Sequence, residues 1–290
     1  MAAASVTAAM LAAGPAGANA DRPGHYVALG SSYAAGPGIT PVADAGCARS
    51  GRNYPHQLAA ALGSDLVDVT CSGATTADIL SRSQRGFDGR TVPPQIDAVT
   101  AETDLVTVTI GGNDLGMVGG MRAGSCGPAL AQAAPAVAAP ATAACAAVTG
   151  GPKSPAPADY TALTHALTEI VGAIRERAPR AGILLVQYLP VLDQDADLCP
   201  AIALDPSAAT TARHTYDGLL AATRAAAAIT GVTAVDLPGA DRHTACAADA
   251  WTDGFHRPTA DDPARVISSY HPNLAGMTAT ADYLTRQSRR

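Results

Sequence analysis

Charged and aromatic side chains are both scarce in this sequence. Charged residues make up 15% of the chain and aromatic residues 4%, with a single Trp. An average globular domain carries roughly a quarter charged residues. No basic stripe is present, and 19 Lys and Arg stand against 25 Asp and Glu, a formal net charge of −6. That balance excludes nucleic acid as an expected partner. No uncharged apolar run reaches the roughly 18 residues of a spanning helix, so no transmembrane segment is expected. No C-x-x-C pair and no H-E-x-x-H occur, which removes the usual zinc and redox signatures. Neither G-x-S-x-G nor the glycine fingerprint of dinucleotide sites appears. Neither a metal nor a cofactor is expected.

The first twenty residues read as a targeting segment. Residues 2–13 are small and apolar, a Gly-Pro break follows, and Ala18-Asn19-Ala20 fits a cleavage site before Asp21. The positive n-region of such a segment is missing. Residues 1–20 are therefore expected to be a signal peptide, read as truncated, and 21–290 a single catalytic domain. Six cysteines at 47, 71, 126, 145, 199 and 246 support export. They permit fifteen pairings by sequence alone. Sequential pairing (47–71, 126–145, 199–246) closes three separate loops, each worth roughly 3–4 kcal/mol in the chain-entropy model. The expectation is a secreted protein.

Strands and helices alternate along the chain. Short apolar runs predict strands at 26–30, 66–70, 104–110, 182–188 and 231–235. The run Asp104-Leu-Val-Thr-Val-Thr-Ile110 is the clearest, being rich in β-branched residues. Helices are predicted over 54–62, with Asn53 as cap and Gly63 as stop, and over 77–82 and 93–99. Further helices are predicted over 160–178 (capped by Asp159), 205–229 and 272–285. Residues 119–158, dominated by Ala, Pro and Gly, read as an insertion with short helical pieces, held by a Cys126–Cys145 bridge. The alternation implies βαβ units around a mostly parallel five-stranded sheet.

Three of these strands run into loops rich in small and hydrogen-bonding residues: Gly30-Ser31-Ser32, Cys71-Ser72-Gly73 and Gly111-Gly112-Asn113-Asp114. In a parallel sheet those ends share one edge, where open α/β folds place their sites. A serine nucleophile needs a base for its proton and donors for the oxyanion that forms on attack. Ser32 offers the hydroxyl, Gly73 a backbone N–H, Asn113 a side-chain amide and His271 the base. Asp114 reads as a brace for its loop. The other histidines read as structural or solvated.

Those residues, in that order, resemble the SGNH hydrolases, also called GDSL esterases and lipases. Val27-Ala28-Leu29-Gly30-Ser31-Ser32-Tyr33 stands for the nucleophile block and Cys71-Ser72-Gly73-Ala74-Thr75 for the glycine block. Gly111-Gly112-Asn113-Asp114 stands for the asparagine block and Tyr270-His271-Pro272-Asn273 for the histidine block. The resemblance spans 26–284 and implies a flavodoxin-like three-layer α/β/α sandwich. The six cysteines and the N-terminal segment look like the secreted lipases and esterases of actinobacteria, and the sequential cysteine pairing is the one the family suggests. By resemblance Ser32 is the nucleophile and His271 the base, with the Ser32 N–H, Gly73 N–H and Asn113 amide as oxyanion hole.

Two positions depart from the family pattern. Ser31 replaces the usual Asp before the nucleophile. Ser268 replaces the Asp that often stands three residues before the histidine. A Ser32–His271 dyad whose ring is held by the Ser268 backbone carbonyl is expected, with Asp253, Asp261 or Asp262 as alternative carboxylates. The implied function is a carboxylic ester hydrolase, an esterase or lipase acting as a monomer on small-molecule or lipid esters. Carbohydrate acetylesterase and phospholipase activity are the alternatives within the class, and a non-catalytic cell-surface binding module the alternative outside it. The loops at 119–158 and 189–204 are expected to wall the acyl pocket.

Overall fold

The computed structural model describes residues 23–133, 154–194 and 197–288. Five parallel strands form the central sheet: β1 (His25–Gly30), β2 (Asp65–Asp68), β3 (Leu105–Thr109), β4 (Gly182–Val186) and β5 (Thr233–Val235). Their spatial order is β2-β1-β3-β4-β5, every neighbouring pair parallel. Both faces are covered. Val27 and Leu29 of β1 join the larger core with Val106 and Val108 of β3, while Tyr26 and Ala28 turn to the other. This period-2 alternation inside an all-apolar run is what a sheet between two helical layers requires.

Among the described residues seven helices surround the sheet: α1 (Ser32–Ala35), α2 (Tyr54–Leu62), α3 (Thr76–Leu80), α4 (Met117–Ala133), α5 (Pro157–Arg177), α6 (Pro206–Thr230) and α7 (Leu274–Gln287). α2 and α7 pack together over one face, contributing Leu58, Met277, Ala281 and Leu284 to its core. α5 and α6 pack on each other over the opposite face, burying Leu167, Ile170, Ile174 and Leu219. The result is a three-layer α/β/α sandwich in the doubly wound strand order of the flavodoxin type. In that order the crevice opens where successive connections leave to opposite sides, at the carboxyl ends of β1 and β3.

Most predicted elements are present at nearly their expected bounds, and the departures have local causes. Asn53 caps α2 by accepting the His56 N–H at 3.0 Å, and Gly63 closes it at φ 70°. The helix expected after Pro93-Pro94 is a single 3-10 turn, Gln95–Ala98. Asp159 does not cap α5. The helix begins at Pro157, and Asp159 instead accepts the Ala156 N–H at 2.8 Å from within the first turn. The described start of the insertion belongs to one 17-residue helix, α4, which runs through Gly119-Gly120 and Pro128. Packing against α6, with Met117, Val118, Met121 and Ser125 buried, outweighs its poor helix propensity. Two-stranded hairpins at 42–50 and 84–92 occupy segments for which no element is predicted.

Disulfides join Cys47 to Cys71 and Cys199 to Cys246. Their sequence separations of 24 and 47 correspond to roughly 3.5 and 4 kcal/mol in the chain-entropy model. The Cys126–Cys145 pairing, most of the insertion and the segment 1–20 lie outside the described residues. Among the described residues no helix is long and apolar enough to cross a membrane.

Candidate active site

β1 ends at Gly30, whose φ of 153° is one that side-chain-bearing residues rarely adopt. A Cβ there would stand 2.6 Å from the Thr109 carbonyl, so only glycine lets β1 turn beside β3. Gln95 fixes this turn from both sides, accepting the Gly30 N–H at 2.7 Å and donating to the Gly30 carbonyl at 3.0 Å. The next two residues therefore leave the sheet edge in a set direction. Ser31 points inward and Ser32 begins α1.

The Ser32 hydroxyl lies 2.7 Å from Nε2 of His271, which opens the loop into α7. Both residues are buried, Ser32 6% and His271 2% exposed. On the far side of the ring Nδ1 stands 2.9 Å from the Ser269 carbonyl, so Nδ1 carries the proton and Nε2 is free to accept. This corrects one expectation, because the ring is held by Ser269 and not by Ser268. The Ser268 carbonyl accepts the backbone N–H of His271 at 3.2 Å instead.

The cause is Tyr270, which sits in the left-handed region at φ 61° and turns the chain between the two serines. Such a conformation is costly for a bulky residue and must be held by its surroundings. Here Tyr33 donates its hydroxyl to the Tyr270 carbonyl at 2.8 Å, and the Tyr270 hydroxyl meets Ser125 of α4 at 2.5 Å.

None of the alternative carboxylates reaches the ring. Asp253 pairs with His256 at 3.1 Å and accepts from Asn273 at 3.3 Å. Asp261 and Asp262 are exposed. Burial pushes His271 down to about 3, with the Arg122 guanidinium next in effect and the Ser269 and Ser268 carbonyls opposing. The resting ring is neutral.

The glycine and asparagine blocks meet at the same edge. Gly73 adopts φ 87° just past the Cys47–Cys71 bridge. Among the described residues the N–H groups of Ser32 and Gly73 meet no acceptor. Asn113 donates one amide hydrogen to the Ala74 carbonyl at 2.8 Å, which orients the group and leaves its second hydrogen available. Asp114 ties the two blocks together, accepting from the Thr76 N–H at 3.1 Å and the Thr76 hydroxyl at 2.5 Å. The expected brace is therefore present.

Ser31 has a structural explanation that the sequence did not suggest. Its buried hydroxyl lies 2.7 Å from the Tyr188 hydroxyl, which in turn accepts the Gly112 N–H at 3.2 Å. Ser31 thus couples the nucleophile turn to the loop carrying Asn113. Tyr188 also stacks on Tyr33 at 4.1 Å, and Tyr33 lies 5.4 Å from the His271 ring. A small, mostly apolar pocket lies beyond Tyr33, lined by Met117 and Met121 of α4, Val191, Leu192 and Tyr216 together with the polar Gln194 and Arg213.

Comparisons with known proteins identify the family. The model of the GDSL-like Lipase/Acylhydrolase family matches residues 28–279. Lipase 2 of Streptomyces coelicolor is 37% identical over 238 residues, covering 77% of this chain and 73% of that protein. A lipase of Streptomyces rimosus is 29% identical over 257 residues, covering 87% and 82%. Among solved structures, phospholipase A1 from Streptomyces albidoflavus NA297 superposes with a TM-score of 0.65 at 26% identity, covering 92% of this chain and 100% of that one. The extracellular lipase from Streptomyces rimosus gives 0.63 at 26% identity, covering 92% and 99%.

Proposed function

Because the chain belongs to the GDSL-like lipase/acylhydrolase family and is thereby a carboxylic ester hydrolase, we propose that it works through a Ser32–His271 dyad and an acyl-enzyme. The observation that carries this reading is the 2.7 Å contact between Ser32 Oγ and the unprotonated Nε2 of a buried, neutral histidine. Ser32 Oγ attacks the ester carbonyl carbon while Nε2 takes its proton. The N–H groups of Ser32 and Gly73 and the free amide hydrogen of Asn113 receive the oxyanion. As the intermediate collapses, His271 returns the proton to the departing alcohol, and water then repeats the sequence on the acyl-enzyme. The Ser269 carbonyl takes the place of the carboxylate that commonly orients the ring.

The acyl group is directed toward the pocket past Tyr33, walled by α4 and the loop after β4, which is only about water-sized in this structure and has to widen to admit an acyl chain. Two disulfides and the likeness to an extracellular lipase support a secreted enzyme. All of the proposed machinery comes from one chain, which supports action as a monomer.

The acyl-enzyme is tested by acid quench. A reaction with a nitrophenyl ester, stopped during turnover and weighed intact, is expected to contain protein heavier by one acyl group. Turnover without any acylated species would contradict the covalent route.

Two further results are expected. Asp253→Ala keeps kcat/KM within about fivefold, whereas losing the carboxylate of a triad costs about 10⁴. A loss near the larger figure would make Asp253 a functional partner of the dyad. The second concerns pH. His271 lies far below its usual 6.5, so it stays a competent base into mild acid, and kcat/KM is expected to show no inflection near pH 6.5. The same shift sets the sign of the linkage to folding. The unfolded histidine binds a proton near 6.5 and the folded one only near 3, so this group costs stability as pH falls through that window and nothing above it. An acid limb centred near 6.5 would show that the ring is solvated in the free enzyme.

A further inference from the structure

The mechanism above uses no cation, yet one stands beside its base. Nη2 of Arg122, on α4, lies 3.5 Å from His271 Nδ1. That nitrogen already donates to the Ser269 carbonyl at 2.9 Å, so the contact sets N–H against N–H and is repulsive. Arg122 donates to the Ile267 carbonyl, while its Nε is buried without a partner among the described residues. No carboxylate pairs with it among the described residues. A largely buried guanidinium without a counter-ion is costly, and here it also opposes the imidazolium that catalysis must form. Its planar fork matches phosphate and carboxylate oxygens.

We propose that Arg122 receives an anionic group, a phosphodiester or a carboxylate, carried on the alcohol side of the scissile ester. Arg122 stands at Nδ1 of the histidine whose Nε2 protonates the leaving alcohol, so the anion is assigned to that alcohol. Neutralised by that group, the guanidinium stops opposing the imidazolium, so anionic esters gain in binding and in the chemical step. This inference rests on the Ser32–His271 reading.

The test compares matched esters on the full enzyme: dihexanoyl phosphatidylcholine against dihexanoylglycerol, and hexanoylglycolate against ethyl hexanoate. Wild type is expected to favour the anion-bearing member of at least one pair, and which pair identifies phosphate or carboxylate as the group received. In Arg122→Gln that preference falls at least about tenfold, as for a lost charged hydrogen bond. Arg122→Lys restores part of it. The acid limb on the neutral ester also moves to higher pH in Arg122→Gln, a change that a purely structural arginine would not produce. No preference in wild type, or an unchanged preference in Arg122→Gln, overturns the proposal.

Should Arg122→Gln fail to fold, inhibition of wild-type neutral-ester hydrolysis decides. Glycerol 3-phosphate or glycolate is expected to compete where glycerol does not, and equal indifference to all three overturns the proposal. Ser32→Ala run on the same esters separates the two readings, because full activity there refutes the dyad whatever Arg122 does.

Discussion

Ser32→Ala and His271→Ala are each expected to lower kcat on nitrophenyl acyl esters by about 10⁴–10⁶, the range seen when a serine hydrolase loses its nucleophile or base. The size follows from the contact between them. Among the described residues Ser32 Oγ has one proton acceptor, His271 Nε2 at 2.7 Å, and the ring is neutral and oriented by Ser269. Remove either partner and the hydroxyl is no longer activated. The two substitutions act on one step, so the double variant should be hardly worse than either single one. Additive losses would mean that the residues work independently, against the dyad. Both side chains are buried but contribute little apolar packing, so folding should survive, and circular dichroism checks this directly.

Asn113→Ala is the second large effect, a fall of about 10²–10³ in kcat with KM nearly unchanged. An oxyanion donor acts on charge that exists only in the transition state, so its loss appears in kcat and not in binding. The pre-oriented amide, held to the Ala74 carbonyl at 2.8 Å, avoids reorganisation during reaction. Asn113→Asp should be at least as damaging, because a carboxylate would face the developing oxyanion. A rise in KM with kcat intact would make Asn113 a ground-state contact instead.

Much of this site was legible in the sequence because its parts are local. A short apolar run announced β1 and a β-branched one β3, and each ended on the glycine and hydroxyl or amide residues that a sheet-edge site uses. Asn53 and Gly63 marked both ends of α2 through their own backbone preferences. What stayed hidden depends on partners distant in the chain. Ser31 looked anomalous because Tyr188, its hydrogen-bond partner, lies 157 residues away. The ring-holding carbonyl was placed one residue early because nothing in Ser-Ser-Tyr-His shows that Tyr270 is left-handed; Tyr33 and Ser125 hold it so. Arg122 gave no signal, sitting in an Ala/Gly-rich stretch whose helical state is decided by packing on α6.

The central claim is that Ser32, and not its neighbour Ser31, forms the covalent bond to the acyl group. Ser31 is fully buried against Tyr188, whereas Ser32 faces His271. Labelling with a nitrophenyl alkylphosphonate, followed by peptide mapping, tests this in one measurement. The account predicts one phosphonyl group per chain, on Ser32, and none on the His271→Ala protein under the same conditions. A label on Ser31, or on any residue outside this sheet edge, would contradict it.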